Sequence, residues 1–261
     1  MSGNQITIGY RTDVGQYRDN NQDSLFVFSA ASITSDPAPY FGLFIVADGM
    51  GGHDDGEKAS GLATHIISQQ VLSEVYIPLL RDKFEFNIRA QPLTDVLVEA
   101  IQEANQQVLQ NVPGAKTTVT AVALLGSMAY FAHAGDSRAY VISSGEIEQM
   151  TRDHSLVQRL IDVGQLTPEE ALEHPQQNIL YRSIGLENIL EVDMTIQKLL
   201  PGSYVLICSD GLWNLVGDEE MVSMILDNSD NTPSAAQALV DLANERGGTD
   251  NISVIVLRVP E

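Results

Sequence analysis

Five aspartates sit in short Gly/Asn/Ser-rich contexts at the edges of apolar runs. They are Asp23 in Arg18-Asp19-Asn20-Asn21-Gln22-Asp23, Asp48 in Asp48-Gly49-Met50-Gly51-Gly52-His53, and Asp136 in Gly135-Asp136-Ser137-Arg138, followed by Asp210 in Ser209-Asp210-Gly211 and Asp250 in Gly248-Thr249-Asp250-Asn251. A lone aspartate in a turn ordinarily caps a backbone N–H, and Asp153 and Asp218 are read that way. Five at the ends of apolar runs point instead to one shared site, and carboxylates gathered there repel unless a cation lies between them. All-oxygen ligands favour a hard divalent ion, Mg²⁺ or Mn²⁺, which keeps several of its waters.

The elements that must position these residues are visible in the apolar pattern. Runs at residues 24–30, 42–47, 120–125, 129–133, 138–142, 204–208 and 252–259 read as strands. Ser144-Gly145 reads as a hairpin turn. Ala59, Leu62, Ala63, Ile66, Ile67, Val71 and Val75 recur at helical spacing, as do Leu97, Ala100, Ile101, Ala104 and Val108. Further helices are expected from Thr167-Pro168-Glu169-Glu170, from Asp218, and from Thr232-Pro233 to Gly247, each with cap chemistry. Two long helices are inserted together between Gly51 and Asn111, and strands otherwise come in runs. That order predicts an α+β architecture of antiparallel sheets covered by helices rather than a doubly wound parallel sheet.

Composition narrows the function classes. Against 14 Lys and Arg stand 35 Asp and Glu, a formal charge of −21 at pH 7, which disfavours nucleic acid and anionic membranes as partners. The single cysteine, Cys208, excludes a disulfide framework and a Cys-based zinc cluster. The first twelve residues lack a secretory pattern, and the apolar stretch 120–134 is broken and too short to span a bilayer. A soluble cytoplasmic protein is expected, and no apolar stripe calls for an obligate dimer, so a monomer is expected.

Competing phosphate chemistries fail on spacing. The glycine cluster at 49–52 lacks the Gly-Lys-Ser/Thr of an ATPase loop, Cys208 has Asn214 where a thiolate phosphatase needs Arg, and no Asp-x-Asp pair offers an aspartyl-phosphate nucleophile. The run from Asp227 carries Thr232 and Ala238 where a calcium loop needs Gly and Glu. The five motifs, in this order, resemble those of the metal-dependent protein serine/threonine phosphatases, the protein phosphatase 2C (PPM-type) family in its compact bacterial form. The likeness runs from about residue 8 to 259 and implies a single domain. One departure is Thr118-Val119-Thr120-Ala121, where the family usually has Gly-Thr-Thr-Ala.

The resemblance implies a central sandwich of two antiparallel β-sheets flanked by α-helix pairs, with metals in a cleft at one end and a flap over about residues 155–183. One ion would be held by Asp23, Asp48 and the Gly49 carbonyl. A second would share Asp48 and add Asp210 and Asp250, and a weaker third would use Asp136 with Asp210. The implied reaction is hydrolysis of phosphoserine and phosphothreonine by a water bridging two Mn²⁺ or Mg²⁺ ions, without a phosphoenzyme. Arg18 would hold two phosphoryl oxygens, the plainer alternative being a surface ion pair with Asp13 or Asp19. His53 would protonate the leaving alkoxide, whereas His133 and His154 read as structural. Asp54 and Asp55 would disfavour acidic phosphopeptides. Phosphorylated proteins, including bacterial serine/threonine kinases and their substrates, are the implied partners. Two rival readings are a phosphatase dedicated to an anti-sigma-factor antagonist and a phosphoprotein-binding pseudophosphatase. The length of the 155–183 segment opposes the first, and the retention of all five acids, Arg18 and His53 opposes the second.

Overall fold

The computed structural model describes residues 6–30, 40–52, 55–81, 92–167, 170–171 and 174–260. The predicted strands form, with one-residue differences at several ends, and the one expected at 42–47 runs three residues further, to Met50. They are joined by four that the apolar pattern did not reveal: β1 (Thr7–Asp13), β4 (Lys116–Thr117), β8 (Glu146–Gln149) and β9 (Asp193–Lys198). The others are β2 (Asp23–Ala30), β3 (Phe41–Met50), β5 (Val119–Leu125), β6 (Met128–Ala134), β7 (Arg138–Ser143), β10 (Tyr204–Cys208) and β11 (Ile252–Arg258). One antiparallel sheet has the order β1-β11-β10-β7-β8. The other runs β2-β3-β5-β6-β9, with β4 pairing the far end of β3.

Strand alternation builds the layers. In β3, Leu43 and Ile45 face a core shared with helices, while Phe44 and Val46 face the other sheet. The helix-side core receives Ala59, Ala63 and Ile67 from α1 (Asp55–Val71). It also receives Leu97, Ile101 and Val108 from α3 (Leu93–Asn111); α1 runs through a π-helical turn, Leu72–Tyr76, into α2 (Ile77–Arg81). Between the sheets, Phe44, Val122 and Phe131 meet Val141, Val205, Ile207 and Ile255. Beyond the first sheet, α6 (Asp218–Asp227) and α7 (Thr232–Glu245) bury Met221, Ile225, Leu239 and Val240. The result is the α-β-β-α sandwich expected from the sequence.

Local signals fared unevenly. Ser144 and Gly145 both take positive φ, 55° and 83°, and link Ser143 to Glu146 in a two-residue turn. At Thr167 the capping box is present: Glu170 N–H donates to Thr167 Oγ1 (3.2 Å), and Thr167 N–H to the Glu170 carboxylate (2.9 Å). Pro168 and Glu169 lie outside the described residues. Three cap assignments are corrected. Asp218 is the first helical residue and not the cap; Gly217 precedes it, and its N–H is satisfied by Glu220. Helix α7 is capped by Asn231, which accepts from Ser234 N–H, leaving Thr232 buried. Asp153 is no turn cap either: it is buried and pairs with Arg138.

Candidate active site

The acidic motifs meet because strand ends and loops of both sheets converge at one end of the sandwich. Asp23 opens β2 and faces Asp48 directly in the β2–β3 register. Asp48 lies within β3 rather than in a turn, since β4 prolongs the strand through the pairs Gly49↔Thr117 and Met50↔Lys116. Asp136 follows β6, Asp210 begins the short helix α5 (Asp210–Trp213), and Asp250 precedes β11. A cleft of ≈ 200 Å³ is lined by Arg18, Asp48, Gly49, Asp136, Asp210 and Asp250, with Asn178 from the 155–183 segment. Asp23 is buried and does not line it. The structure thus brings together every site residue expected from the sequence except His53, which, with Asp54, lies outside the described residues.

Neutral side chains fix this arrangement. Asn251 donates to the carbonyls of Val14 (2.9 Å) and Asn20 (3.0 Å) and accepts from Gln22 N–H (2.8 Å), joining the Arg18 loop to the Asp250 loop. Ser209 donates to Asp23 Oδ2 (2.9 Å) and accepts from Ser253 N–H (2.9 Å). Thr118 accepts from Asp48 N–H (2.9 Å), and Thr117 donates to the Asp48 carbonyl (2.9 Å). Thr118 therefore serves at the position where the motif departs from its usual glycine. At Gly49 a side chain has no room: a Cβ there would lie 2.2 Å from the Gly56 carbonyl oxygen and 2.5 Å from that of Gln22. Sequence reasoning gave no role to Thr118, Ser209, Asn251 or Asn178. The Ser and Asn were legible only as members of the Ser-Asp-Gly and Asp-Asn motifs.

Arg18 donates to Asp250 Oδ2 at 2.7 Å, and that partner is neither Asp13 nor Asp19. Asp13 instead accepts from Gly15 N–H and from Asn244. Asp55 pairs with Lys58 in the first turn of α1. His133 and His154 are buried and structural. His133 meets Thr120 (2.9 Å) and the Gly135 carbonyl (3.0 Å), while His154 accepts from Gly135 N–H (3.1 Å) and meets Asp193 (3.1 Å).

The acids are electrostatically frustrated. Burial pushes Asp23 up to about 7, partly offset by hydrogen bonds from Ser253 and Ser209 and reinforced by the charges of Asp210 and Asp250. Burial, then Asp250, pushes Asp210 up to about 6, opposed by a hydrogen bond with Asp48 and by Arg18. Burial and neighbouring carboxylates hold Asp48 and Asp136 well above the usual range. Asp23 Oδ1 and Asp210 Oδ1 are buried with no hydrogen-bond partner among the described residues. Orphaned carboxylate oxygens amid like charges are what a bound cation would satisfy, and an all-oxygen donor set fits a hard divalent ion. Among the described residues no three side chains form a ready-made cage, so an ion held here would also draw on water and backbone carbonyl.

The sequence profile of protein phosphatase 2C matches residues 17–244. The chain belongs to the protein phosphatase 2C family. It is 39% identical over 258 residues, 97% of each chain, to a putative protein phosphatase 2C-type of Streptococcus pyogenes serotype M6. The solved serine/threonine phosphatase of S. agalactiae has a TM-score of 0.80 at 34% identity, with 97% of this chain and 99% of that one covered. The catalytic domain of the serine/threonine phosphatase PstP, solved in complex with two manganese ions, gives 0.76 at 31% identity, covering 98% and 99%. As a protein phosphatase 2C the chain is an enzyme that dephosphorylates proteins, and the serine/threonine class expected from its motifs is the class these solved relatives carry in their names. No helix among the described residues is long and apolar enough to cross a membrane.

Proposed function

We propose that this protein phosphatase hydrolyses phosphoserine and phosphothreonine in proteins in a metal-dependent reaction, and that residues 8–259 act as one catalytic domain. The observation that carries this is the cleft with the acids around it, where Asp23 and Asp210 each bury a carboxylate oxygen that has no partner among the described residues, and Arg18 stands half-exposed. Asp23, Asp48, the Gly49 carbonyl, Asp210 and Asp250 would hold two Mn²⁺ or Mg²⁺ ions, and Asp136 with Asp210 a weaker third. When bound, such ions supply Lewis acidity that activates water and screens phosphoryl charge.

The remaining work falls to the chain. Arg18 offers a planar, permanently charged fork to two phosphoryl oxygens, and its bond to Asp250 holds it at the cleft. The hydrogen bonds of Asn251 hold that loop in place, so the fork pays little entropy on binding substrate. His53, five residues past Asp48, donates a proton to the departing serine or threonine oxygen, worth about 10²–10⁴ in rate. The physiological substrates are phosphoproteins of bacterial serine/threonine kinase signalling, and the enzyme works as a cytoplasmic monomer.

The test is phosphate release from a phosphothreonine peptide by chelator-stripped protein titrated with Mn²⁺ and then Mg²⁺. Turnover that appears only with metal, and is lost in Asp210→Asn, is the expected result. Metal binding without turnover on several peptides would overturn the enzymatic reading in favour of a phosphoprotein-binding module.

A further inference from the structure

A second cavity, ≈ 370 Å³, lies beside the cleft between the sandwich and the 155–183 segment. Asp136, Asp210 and Asn178 line both, so the two spaces adjoin. The outer wall carries an apolar strip: Val157 and Ile161 stand one turn apart on α4 (Leu156–Asp162) and therefore share a face. The inner wall is fixed. Trp213 donates its indole N–H to the Asp136 carbonyl (3.0 Å), and the Arg138 guanidinium stacks over its ring at 3.6 Å.

Charge decides what the cavity takes. Arg138 is matched by Asp153 through three N–H···O contacts of 2.7–3.2 Å, so it offers no free positive charge to an anion. The other polar lining, Gln158, Gln177, Asn178 and Asn214, is neutral, so a carboxylate entering the cavity finds no free cationic side chain among the described lining residues. Neighbouring Cα atoms of an extended peptide lie about 3.8 Å apart and alternate ones about 7 Å, so a residue within two positions of the phosphoresidue can reach across.

We propose that this cavity is the subsite for an uncharged, apolar side chain flanking the phosphoresidue, and that Val157, Ile161 and Trp213 set the enzyme's sequence preference. The proposal rests on the phosphatase reading above. An apolar flanking residue loses its contact with water against Val157, Ile161 and the indole while the phosphate occupies the adjoining cleft. Glycine at that position leaves the cavity unfilled, and glutamate is desolvated without a free cationic side chain to pair with. Discrimination of about 10-fold or more in kcat/KM is the scale that hydrophobic pockets reach.

The experiment measures kcat/KM of the Mn²⁺-loaded enzyme on phosphothreonine peptides that differ at one flanking position, carrying Leu, Phe, Gln, Gly or Glu at each of the two sites on either side. One position should favour Leu or Phe over Gly by about 10-fold and place Glu last. Ile161→Trp, which fills the cavity, should flatten that preference, and Ile161→Ala should move it towards Phe. Wild-type rates equal within about twofold across all flanks would overturn the subsite alone, and so would a preference unchanged in both variants. Failure of the wild type to hydrolyse every peptide and p-nitrophenyl phosphate at saturating metal would overturn the phosphatase reading and the subsite with it.

Discussion

Asp153→Asn isolates the interaction that anchors the wall between cleft and subsite. Asp153 is 4% exposed and Arg138 19%, and the carboxylate takes Nε at 3.0 Å and Nη2 at 2.7 Å, with Gln149 adding a bond at 3.3 Å. Removing one partner of a buried pair costs about 3–5 kcal/mol, because the other charge is left desolvated and unpaired. The asparagine oxygen keeps one acceptor, so about 2–4 kcal/mol is expected. At about 2–4 °C per kcal/mol for a chain of this size, the melting temperature should fall by about 4–16 °C. Urea denaturation of the chelated protein would read the energy directly, and the double variant Arg138→Met/Asp153→Leu should recover much of it. A loss below about 1 kcal/mol, the value of an exposed pair, would refute the claim that this pair is structurally desolvated.

Metal and pH should be linked. Without cation, Asp23 titrates at about 7 and Asp210 at about 6 in the folded chain, against 3.8 unfolded. Folded values above unfolded ones mean that stability from these groups is present at low pH and lost as pH rises from about 4 to about 7. The urea midpoint of chelated protein should therefore fall between pH 4.5 and 7.5 and cease to fall with Mn²⁺; identical profiles with and without metal would contradict this. His53→Ala should cut turnover of a phosphothreonine peptide by about 10²-fold or more while p-nitrophenyl phosphate, whose phenolate leaves unaided, changes little. Equal losses on both substrates would remove His53 from the acid's role.

What the sequence revealed followed from what each element buries. β3, β5, β10 and β11 are covered on both faces and read as continuous apolar runs, so they were plain. The segment Thr7–Asp13 was missed because β1 is a sheet edge paired only with β11 and largely exposed, which leaves few apolar positions to report it. β9 is an edge strand of the other sheet and is likewise largely exposed. The cap assigned to Asp153 failed because its partner, Arg138, is fifteen residues away, and single-sequence reasoning sees only local acceptors. The five aspartates were legible as a set because the chemistry demands one residue type. The cavity beside them was not, since it is made by a helix and a loop that touch only in three dimensions.

Apart from Arg18 on Asp250, the side chains described as holding the acids are uncharged. Asp23 is held by Ser209, the Asp48 backbone by Thr117 and Thr118, and the Asp250 loop by Asn251. A lysine in any of these places would relieve the repulsion that raises Asp23 and Asp210 and would make the folded chain more stable on its own. It would also occupy the potential well in which a divalent ion must sit. Among the described lining residues of the cleft, Arg18 is the one cation, and it is engaged at the rim by Asp250 rather than between the buried oxygens of Asp23 and Asp210. Neutral donors fix the Asp23 carboxylate and the backbone around Asp48 and Asp250 without satisfying the buried charge, so the chain retains a destabilising negative field that a ligand can neutralise. Replacing Ser209 by Ala removes a position-fixing bond and leaves that field intact, whereas a cationic side chain there would cancel it. The two changes should therefore act oppositely on metal-free stability, lowering it in the first case and raising it in the second, while both weaken Mn²⁺ binding. Calorimetric titration of Mn²⁺ into Ser209→Ala and Ser209→Lys, beside their urea midpoints, distinguishes a site built around charge from one built around packing; a lysine variant that binds Mn²⁺ as the parent does would refute it.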